Sequence, residues 1–231
     1  MLNKNNYKNW ENNIYAKRRE INSYPYDLVV SIISRLFSSL STEDKAKIRV
    51  LDLGCGAGNN VQFLAEKGFQ VFGIDGSQTA IKICKNRFRE LGLKGEFICK
   101  NFSKLPYRSD FFDLIIDRES LYANDLIETR KVMKEIGRVI KKGGKFISFA
   151  YNTYHPEMKL GRLINRNVYE GYRKGSTFFE TGIVRFIDWK DLLKNYSFFK
   201  LDNVMRNSLS EVYNIEQKFM EYDEYIIIAH K

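Results

Sequence analysis

A glycine-rich turn between two regular elements constrains the fold of this chain more than any other feature. The sequence VLDLGCGAGNN spans residues 50–60, with glycines at Gly54, Gly56 and Gly58. An apolar run over residues 48–53 leads into the turn, as expected for a strand buried on both faces, and a helical pattern of apolar residues follows it. A strand, a glycine-rich turn and a helix in this order are typical of α/β folds in which backbone amides of the turn bind a ligand.

The same alternation of strand and helix patterns continues to residue 151. Strands that alternate with helices of about 10 to 15 residues predict βαβ units and a mainly parallel sheet. Two late strands without a helix between them predict an antiparallel pair. We therefore expect an α/β fold with a doubly wound, mostly parallel seven-stranded sheet, a terminal antiparallel hairpin and helices on both faces. The predicted strands are 48–53, 70–74, 96–99, 112–116, 145–149, 198–205 and 224–229, and the predicted helices are 59–67, 79–91, 126–139 and 186–196.

The spacing of the glycines limits the kind of ligand. They follow G-x-G-x-G, whereas a dinucleotide-binding turn has G-x-G-x-x-G, and the position of its third glycine is occupied here by Asn59. The lysine and hydroxyl residue of a phosphate-binding P-loop are also missing. Asp52 lies in the strand before the turn, where a carboxylate suits a cationic ligand. Asp75 ends the next strand, where doubly wound folds place an acid that binds ribose hydroxyls. A nucleoside with a charged amine and no phosphate, such as S-adenosylmethionine, fits this pattern.

Four ordered segments of the chain resemble the class I S-adenosylmethionine-dependent methyltransferases. They are VLDLGCGAGNN at the first strand, Asp75 at the end of the second, NFSKLPYRSDFFDLIID through the fourth and IKKGGKFIS leading to the fifth. The resemblance implies one methyltransferase domain with S-adenosyl-L-methionine as cofactor and a small-molecule acceptor. We expect a single domain over 1–231, with an N-terminal helical lid at 1–45, a cofactor-binding core at 46–151, a substrate-cap insertion at 152–185 and a closing helix and strands at 186–231.

The resemblance also implies roles for residues of the core. Asp52 and the turn at residues 54–58 are expected to hold the methionine part of the cofactor, and Asp75 the ribose hydroxyls. Asn101 stands where many members of the family have an acidic residue beside adenine, and its amide oxygen can still accept from the adenine amino group. Asp117 is expected where the fourth strand opens onto the transferred methyl. The expected cofactor-binding set is Asp52, Gly54, Cys55, Gly56, Gly58, Asp75, Gly76, Ser77, Asn101, Phe102 and Asp117.

Candidates for the acceptor site surround the carboxyl end of the predicted sheet. His155 follows the fifth strand at that end, so we expect it to be a general base or a substrate contact, the alternative being a plain loop histidine. Asp117 is the second catalytic candidate, although residues 117–119 also fit the acidic first turn of a helix. The expected substrate and lid residues are Tyr15, Arg19, Tyr24, Tyr122 and Tyr154.

The charge of the chain is strongly basic. It has 38 Lys and Arg against 28 Asp and Glu, a formal net charge of +10. The basic residues are dispersed, which favours a solvated surface over a nucleic-acid interface. An excess of Lys and Arg over Glu in residues 152–183 favours an anionic acceptor, such as a nucleotide-linked sugar or a carboxylate, with ordinary surface charge as the alternative.

Cysteine usage and hydropathy indicate the compartment. Three cysteines without a CxxC pair argue against a disulfide framework and a structural zinc site, and fit a reducing environment. The N-terminal sequence lacks the apolar stretch of a secretory signal, and no run approaches the ~20 apolar residues of a membrane span. We expect a cytoplasmic protein that uses neither a metal nor a membrane.

Two other functions share the same core. An RNA or protein methyltransferase is disfavoured because the fourth strand ends in IIDRES instead of the NPPY-type tetrapeptide of adenine-N6 enzymes, and because no appended RNA-binding module is visible. A non-catalytic sensor of S-adenosylmethionine would keep the same glycine-rich turn and Asp75. The sequence favours a small-molecule O- or N-methyltransferase and leaves the acceptor open.

Overall fold

The computed structural model describes residues 6–210 and 221–231. Residues 1–5 of the predicted lid and 211–220 of the predicted closing segment lie outside the described residues. The strands are β1 Arg49–Leu53, β2 Gln70–Asp75, β3 Glu96–Cys99, β4 Phe112–Arg118, β5 Ile140–Tyr151, β6 Arg162–Asn165, β7 Val168–Glu170, β8 Val184–Arg185, β9 Lys200–Leu209 and β10 Tyr222–His230. The helices are α1 Asn6–Asn9, α2 Asp27–Phe37, α3 Thr42–Lys45, α4 Asn59–Glu66, α5 Gln78–Glu90, α6 Leu126–Val139 and α7 Trp189–Asn195, with a π-helical segment at Trp10–Tyr15 and 3₁₀ turns at Leu121–Ala123 and Met158–Leu160.

Seven strands form one mixed sheet in the order β3-β2-β1-β4-β5-β10-β9. The first five run parallel, and β10 lies antiparallel to both β5 and β9. The sequence prediction of a mostly parallel seven-stranded sheet that ends in an antiparallel pair is confirmed. The strand order reverses beside β1, so the carboxyl ends of β1 and β4 frame the crevice in which ligands bind in such sheets.

Helices cover both faces of the sheet and bury its central strands. Val50 of β1 packs in the apolar cluster with α2, α4 and α5, whereas Leu51 and Leu53 pack in the cluster with α6 and α7. All three side chains are fully buried, which agrees with the continuous apolar run in the sequence. Each contributes about 1.5–3 kcal/mol through the apolar surface that it removes from water. The position of the glycine-rich turn is therefore fixed by the core of the molecule.

Two predicted elements have different bounds in the structure. The helix predicted from residue 186 begins at Trp189, because the side chain of Asp188 accepts from the amide of Asp191 at 2.7 Å and caps the helix there. Phe186 and Ile187 are buried but extended, and Ile187 forms a parallel bridge to Asn152. The strand predicted at 145–149 is part of the longer β5, whose pairing with β4 is irregular near its start.

The segment predicted as a substrate cap has its own small sheet. Strands β6, β7 and β8 form an antiparallel three-stranded sheet within residues 162–185. Its apolar side packs around Tyr169, Phe178 and Phe186. The weak periodicity of this stretch in the sequence reflects very short strands joined by turns, and β6 carries a register irregularity.

A helix that crosses a membrane needs about 20 mainly apolar residues. In residues 6–210 and 221–231, no helix has the length and apolar character needed to cross a membrane.

Candidate functional site

A cavity of about 410 Å³ lies at the carboxyl ends of β1, β2, β4 and β5. The N-terminal segment and the cap cover it from the side of the solvent. Most of the residues predicted from the sequence meet there. Those that line the cavity are Tyr15, Arg19, Gly54, Cys55, Gly56, Asp75, Gly76, Ser77, Asn101, Phe102, Tyr122 and His155. Asp52, Gly58, Asp117, Tyr24 and Tyr154 are not among the lining residues.

The glycine-rich turn brings backbone to the surface of the cavity. Gly54 and Gly56 have φ angles of +81° and +52°, in the left-handed region that favours glycine. A Cβ atom on Gly54 would collide with the side chain of Ser120, and one on Gly56 with the hydroxyl of Tyr15. Both positions therefore require glycine, for their conformation and for the close approach of neighbouring groups.

Asp75 ends β2 with its carboxylate held by backbone amides. The amide of Gly56 donates to Oδ2 at 3.0 Å and the amide of Ser77 donates to Oδ1 at 2.8 Å. Burial raises the pKa of Asp75 to about 6, although these amide bonds act in the opposite direction. Each carboxylate oxygen has a second lone pair, so Asp75 can accept hydrogen bonds from a pair of hydroxyl groups in the cavity.

Asp52 lies beneath the turn, almost completely buried. Burial, with Asp117 and Asp75 nearby, raises its pKa to about 8. Among the described residues its Oδ2 atom has no hydrogen-bond partner. Asp52 is not among the lining residues of the cavity, and its raised pKa leaves it mainly protonated near pH 7. Its predicted role toward the methionine part of the cofactor stays a prediction.

Asp117 organises the turn after β4. Its carboxylate accepts from the amide and hydroxyl of Ser120 at 2.9 and 2.5 Å, and from the hydroxyl of Ser148 at 2.6 Å. It is fully buried, and burial raises its pKa although these bonds act in the opposite direction. Its side chain faces the layer of α7, where Tyr196 donates to Ser148 at 2.7 Å. Asp117 is not among the lining residues of the cavity, and its carboxylate fixes the turn that contains Ser120. Its predicted role beside the transferred methyl stays a prediction.

The predicted adenine side of the cavity contains Asn101 and Phe102. Asn101 is exposed at the rim, where its Oδ1 atom accepts from the amide of Ser103 at 2.9 Å. Phe102 is partly buried and packs against the core. The pair offers an amide and an apolar ring at the edge of the cavity nearest to Asp75.

His155 lies on the opposite side, and is 3% exposed. Its Nδ1 atom accepts from the amide of Glu157 at 3.1 Å, while its Nε2 atom has no partner among the described residues. Burial lowers the pKa of His155, although Glu157, Glu119 and Asp223 act in the opposite direction. The imidazole is therefore neutral near pH 7.

The N-terminal segment is fastened to both sides of the cavity. Glu11 accepts from the hydroxyls of Ser77 and Thr79 at 2.5 Å each, at the start of α5. On the other side, Asn6 accepts from the amide of Ile183 at 2.9 Å. Arg19 pairs with Glu180 of the cap at 3.0 Å. Tyr15 is buried over the glycine-rich turn, as expected of a lid, whereas Tyr24 is 78% exposed.

Tyr154 also lies away from the cavity. It is 61% exposed, and its ring stacks on the guanidinium of Arg206, whose carbon lies 4.2 Å from the ring centroid. Tyr24 and Tyr154 are thus not among the lining residues, and their predicted roles as substrate or lid residues stay predictions. The aromatic walls are instead formed by Tyr122 and Tyr151, whose ring centroids lie 5.0 Å apart.

Several cavity residues were not predicted from the sequence. Arg118 stacks on Tyr26 at 4.4 Å and forms ion pairs with Glu119 and Glu224. Glu119 has a φ of +55°, which is uncommon for a residue with a side chain. The charged sequence after the fourth strand was the only local signal for this group, since Tyr26 and Glu224 join it through the fold.

The charge of the cavity wall is acidic. None of the basic residues of the cap at 152–183 is among the lining residues. Arg162 pairs with Glu170, and Arg166 pairs with Asp188 at 2.8 Å, both on the exposed surface. The sequence argument for an anionic acceptor is therefore not supported. The charged lining residues are the acids Glu20, Asp27, Asp75, Glu119 and Glu128 and the bases Arg19 and Arg118.

Comparison with known proteins gives a consistent family. Residues 44–197 match the family described as "Methyltransferase domain". An uncharacterized methyltransferase of Bacillus subtilis is 29% identical over 51% of this chain and 45% of its own length. A ubiquinone biosynthesis O-methyltransferase of Idiomarina loihiensis is 26% identical over 70% of this chain and 64% of its own length. The chain thus spans about half the length of the first of these relatives and just under two thirds of the second.

The fold has the same kind of relatives among solved structures. The crystal structure of a SAM-dependent methyltransferase from Methanosarcina mazei superposes with a TM-score of 0.70 at 23% identity, over 90% of this chain and 98% of that one. This likeness covers more of the chain than the matched family region does.

Proposed function

The chain belongs to the family of class I S-adenosylmethionine-dependent methyltransferases, and on this premise we propose that it transfers a methyl group from S-adenosylmethionine to an oxygen or nitrogen atom of a small molecule. The observation that carries the proposal is Asp75, held by the amides of Gly56 and Ser77 at the wall of the cavity. A carboxylate in that place can hold the two hydroxyls of a ribose.

The residues present fit this cofactor. Glycine at positions 54 and 56 lets Ser120 and Tyr15 approach the turn closely, and the described lining of the cavity contains no lysine that would bind a phosphate. Asp75 would bind the ribose hydroxyls, with Gly76 and Ser77 beside it, and Asn101 and Phe102 would hold the adenine. Cys55 and the turn at residues 54–58, above the buried Asp52, would hold the methionine part. When bound, the cofactor supplies an activated methyl group on a cationic sulfur.

The protein then has to align the acceptor with the methyl group and to exclude water from the cavity. A sulfonium methyl reacts when a lone pair of the acceptor is held in line with the carbon–sulfur bond. Tyr122 and Tyr151 provide rigid aromatic walls on the acceptor side, and Tyr15 covers the cofactor side. Asp75, whose pKa of about 6 leaves it ionised near pH 7, places negative charge in the cavity, which favours binding of the cationic methyl donor.

The acidic cavity wall favours an uncharged or cationic acceptor. An anion would meet Glu20 and Glu119 with only Arg118 and Arg19 to offset them, and both arginines are already paired with carboxylates. The ubiquinone-related name of one relative belongs to that relative, and for this chain it serves only as a reason to include phenols among test acceptors.

The test is transfer of tritium-labelled methyl from S-adenosylmethionine to a panel of small phenols, alcohols, amines and carboxylates. We expect labelled product with at least one neutral or amine acceptor, and none with the Asp75→Ala variant. Binding of S-adenosylmethionine without product from a broad panel would instead favour a non-catalytic sensor.

A further inference from the structure

We propose that His155 binds the methyl acceptor as a hydrogen-bond donor through Nε2, and that the acceptor presents an uncharged oxygen or ring nitrogen to it. The identity of the ligand as a methyl acceptor rests on the proposed function. The donor role of the imidazole rests on the geometry around it. It replaces the general-base role that the sequence suggested with a role in substrate recognition.

The hydrogen bond at Nδ1 determines which tautomer the His155 ring adopts. A neutral imidazole carries one proton, on either Nδ1 or Nε2. The amide of Glu157 donates to Nδ1 at 3.1 Å, so Nδ1 holds the lone pair and Nε2 holds the proton. A general base at Nε2 would need the opposite tautomer, which would set two N–H groups against each other at Nδ1.

Nε2 of His155 is a hydrogen-bond donor that has no acceptor among the described residues. His155 is 97% buried and lines the cavity, and within the described part of the chain Nε2 has no partner. A buried donor without a partner is rare and costly, because it has given up its bonds to water. Because His155 lines the cavity, a ligand that displaces the groups enclosing Nε2 would supply the missing acceptor atom.

Three aromatic rings hold the imidazole of His155 in place. The centroid of the imidazole lies 4.9 Å from that of Tyr151, 5.2 Å from Phe178 and 5.5 Å from Phe186. Tyr151 packs edge-on against it, at an interplanar angle of 80°. These three rings limit rotation of the imidazole, so Nε2 points in one direction. Little side-chain entropy is therefore lost when a ligand binds.

The charge around the ring determines which chemical group Nε2 can bind. The carboxylates whose charge raises the pKa of His155 are those of Glu157 of the cap, Glu119 after β4 and Asp223 on β10. Asp223 is paired with Arg206 at 2.5 Å, and Glu119 with Arg118. A carboxylate or phosphate at Nε2 would be repelled by these acids, and an ammonium group has no lone pair to accept the bond. A carbonyl, hydroxyl or ring nitrogen remains.

The hydrogen bond from Nε2 orients the acceptor and leaves free the lone pair that attacks the methyl group. A donor bonded to the nucleophilic lone pair would compete with the methyl group for it. His155 therefore fixes the orientation of the acceptor through a second polar group, or through the second lone pair of the reacting oxygen.

The direct test is nitrogen-15 NMR of the histidine side chains, which distinguishes the two tautomers. The chain has two histidines, and the second, His230, bonds to Asp202 at 2.6 Å outside the cavity. The His230→Gln variant therefore assigns the His155 signals. We expect the Nε2–H tautomer at pH 7. The Nδ1–H tautomer would overturn the proposal.

The same spectra test the chemistry of the ligand with three small probes. In the presence of S-adenosylhomocysteine, N-methylacetamide should shift the Nε2 signal of His155, whereas acetate and methylammonium should shift it less. An equal or larger shift with acetate, or no shift with the amide, would contradict the assignment. Calorimetric binding of S-adenosylhomocysteine, measured on the same sample, reports separately on the proposed function, since it does not depend on His155.

Variants then test the role in turnover. His155→Gln keeps an N–H group near the position of Nε2, and His155→Phe keeps the packing without a donor. With the best acceptor of the panel, we expect His155→Gln to retain turnover within about 10-fold, and His155→Phe to raise the acceptor KM by more than about 10-fold. Both should bind S-adenosylhomocysteine like the wild type, and His230→Gln should behave as the wild type throughout.

A general base would give another pattern. His155→Gln would then be as inactive as His155→Phe, and kcat/KM of the wild type would fall as His155 becomes protonated. A donor leaves kcat/KM insensitive to that protonation in the acidic direction, because the imidazolium also donates from Nε2. Turnover equal to the wild type in His155→Phe would overturn both roles.

Discussion

Among the single residues, the carboxylate of Asp75 connects the glycine-rich turn to the end of β2. Two backbone amides hold it in place before any ligand binds. Hydrogen bonds to a charged group contribute about 1.5–3 kcal/mol each, so loss of two ribose contacts has a large effect.

Replacement of Asp75 tests this arrangement. We expect Asp75→Asn to weaken binding of S-adenosylhomocysteine by about 10- to 100-fold, since about 1.4 kcal/mol corresponds to a factor of ten. Isothermal titration calorimetry measures the change. The exposed Asp110→Asn is the matched control, and a Kd unchanged in Asp75→Asn would exclude the ribose role.

The buried carboxyl of Asp52 gives the protein a pH-dependent stability. Its pKa rises from 3.8 to about 8 on folding, because burial disfavours the charged form. Between these values the folded protein holds a proton that the unfolded chain releases. The free energy of unfolding therefore falls as the pH rises from about 4 to about 8. Asp75 and Glu224, whose pKa values are also raised, add to the same slope.

We expect Asp52→Asn to remove the part of this slope that Asp52 contributes. The amide copies the neutral form. A pKa raised from 3.8 to about 8 costs about 5–6 kcal/mol at pH 8, and 1 kcal/mol shifts a domain of this size by about 2–4 °C, so Tm at pH 8 without ligand should rise by on the order of 10–20 °C. Near pH 4 the two proteins should agree. Thermal melts between pH 4 and 8 measure the difference, and parallel curves for both proteins would contradict the assignment.

Among the elements, the N-terminal segment depends on one carboxylate for its attachment to α5. Burial would raise the pKa of Glu11, but hydrogen bonds from Ser77 and Thr79 lower it. The carboxylate also accepts from the amide of Thr79 at 3.1 Å, at the start of the helix, where negative charge is stabilised. The segment therefore closes over the side of the cavity that contains Asp75.

Loss of that attachment should speed the escape of the cofactor. We expect Glu11→Ala to increase the dissociation rate of S-adenosylhomocysteine by about 10-fold, in line with two or three lost hydrogen bonds, and deletion of residues 1–26 to weaken binding further. Stopped-flow competition measures the rate. Glu43→Ala, at an exposed site on α3, is the control. A rate unchanged by the deletion would exclude a lid.

A buried arginine joins β4, β10 and the entry to α2. The side chain of Arg118 is 12% exposed, between the rings of Tyr26 and Phe149 and beside Glu119 and the fully buried Glu224. Burial lowers the pKa of Arg118, but the neighbouring carboxylates raise it well above its ordinary value. Removal of the cation would leave Glu119 and Glu224 without the positive charge that offsets them.

We expect Arg118→Met to cost about 3–5 kcal/mol of the free energy of unfolding, as for other broken buried pairs. The double variant with Glu224→Gln should recover part of the loss, because one orphaned charge is removed. Urea titrations measure both, with Arg108→Met at an exposed position as the control. Additive losses in the double variant would show that the pair is not coupled.

The elements that could be predicted are those with a local cause. The glycine-rich turn and Asp75 follow from short-range spacing, and α6 from the apolar stripe of residues 126–139. The position of Asp117 could not be predicted, because β4 continues to Arg118 and the alternation of its side chains turns Asp117 toward α7. Glu11 and Glu224 reach the site through contacts between distant parts of the chain, which leave no pattern in the sequence.

Across the molecule, the net charge of +10 and the charge of the cavity have opposite signs. The excess of Lys and Arg lies outside the cavity, where Arg162 and Arg166 of the cap are paired with acids on the surface. Composition predicts the sign of the whole surface but not of a concave site within it. The acceptor is therefore better inferred from the cavity wall than from the pI.

The central claim is that the glycine-rich turn and Asp75 form a site for S-adenosylmethionine and not for a phosphorylated nucleotide. Isothermal titration calorimetry of the wild-type chain with S-adenosylhomocysteine, ATP and NAD tests it most directly. We predict one site for S-adenosylhomocysteine with a micromolar Kd, and no measurable binding of ATP or NAD at the same concentrations. Absence of binding by S-adenosylhomocysteine, or tighter binding of either nucleotide, would contradict the claim.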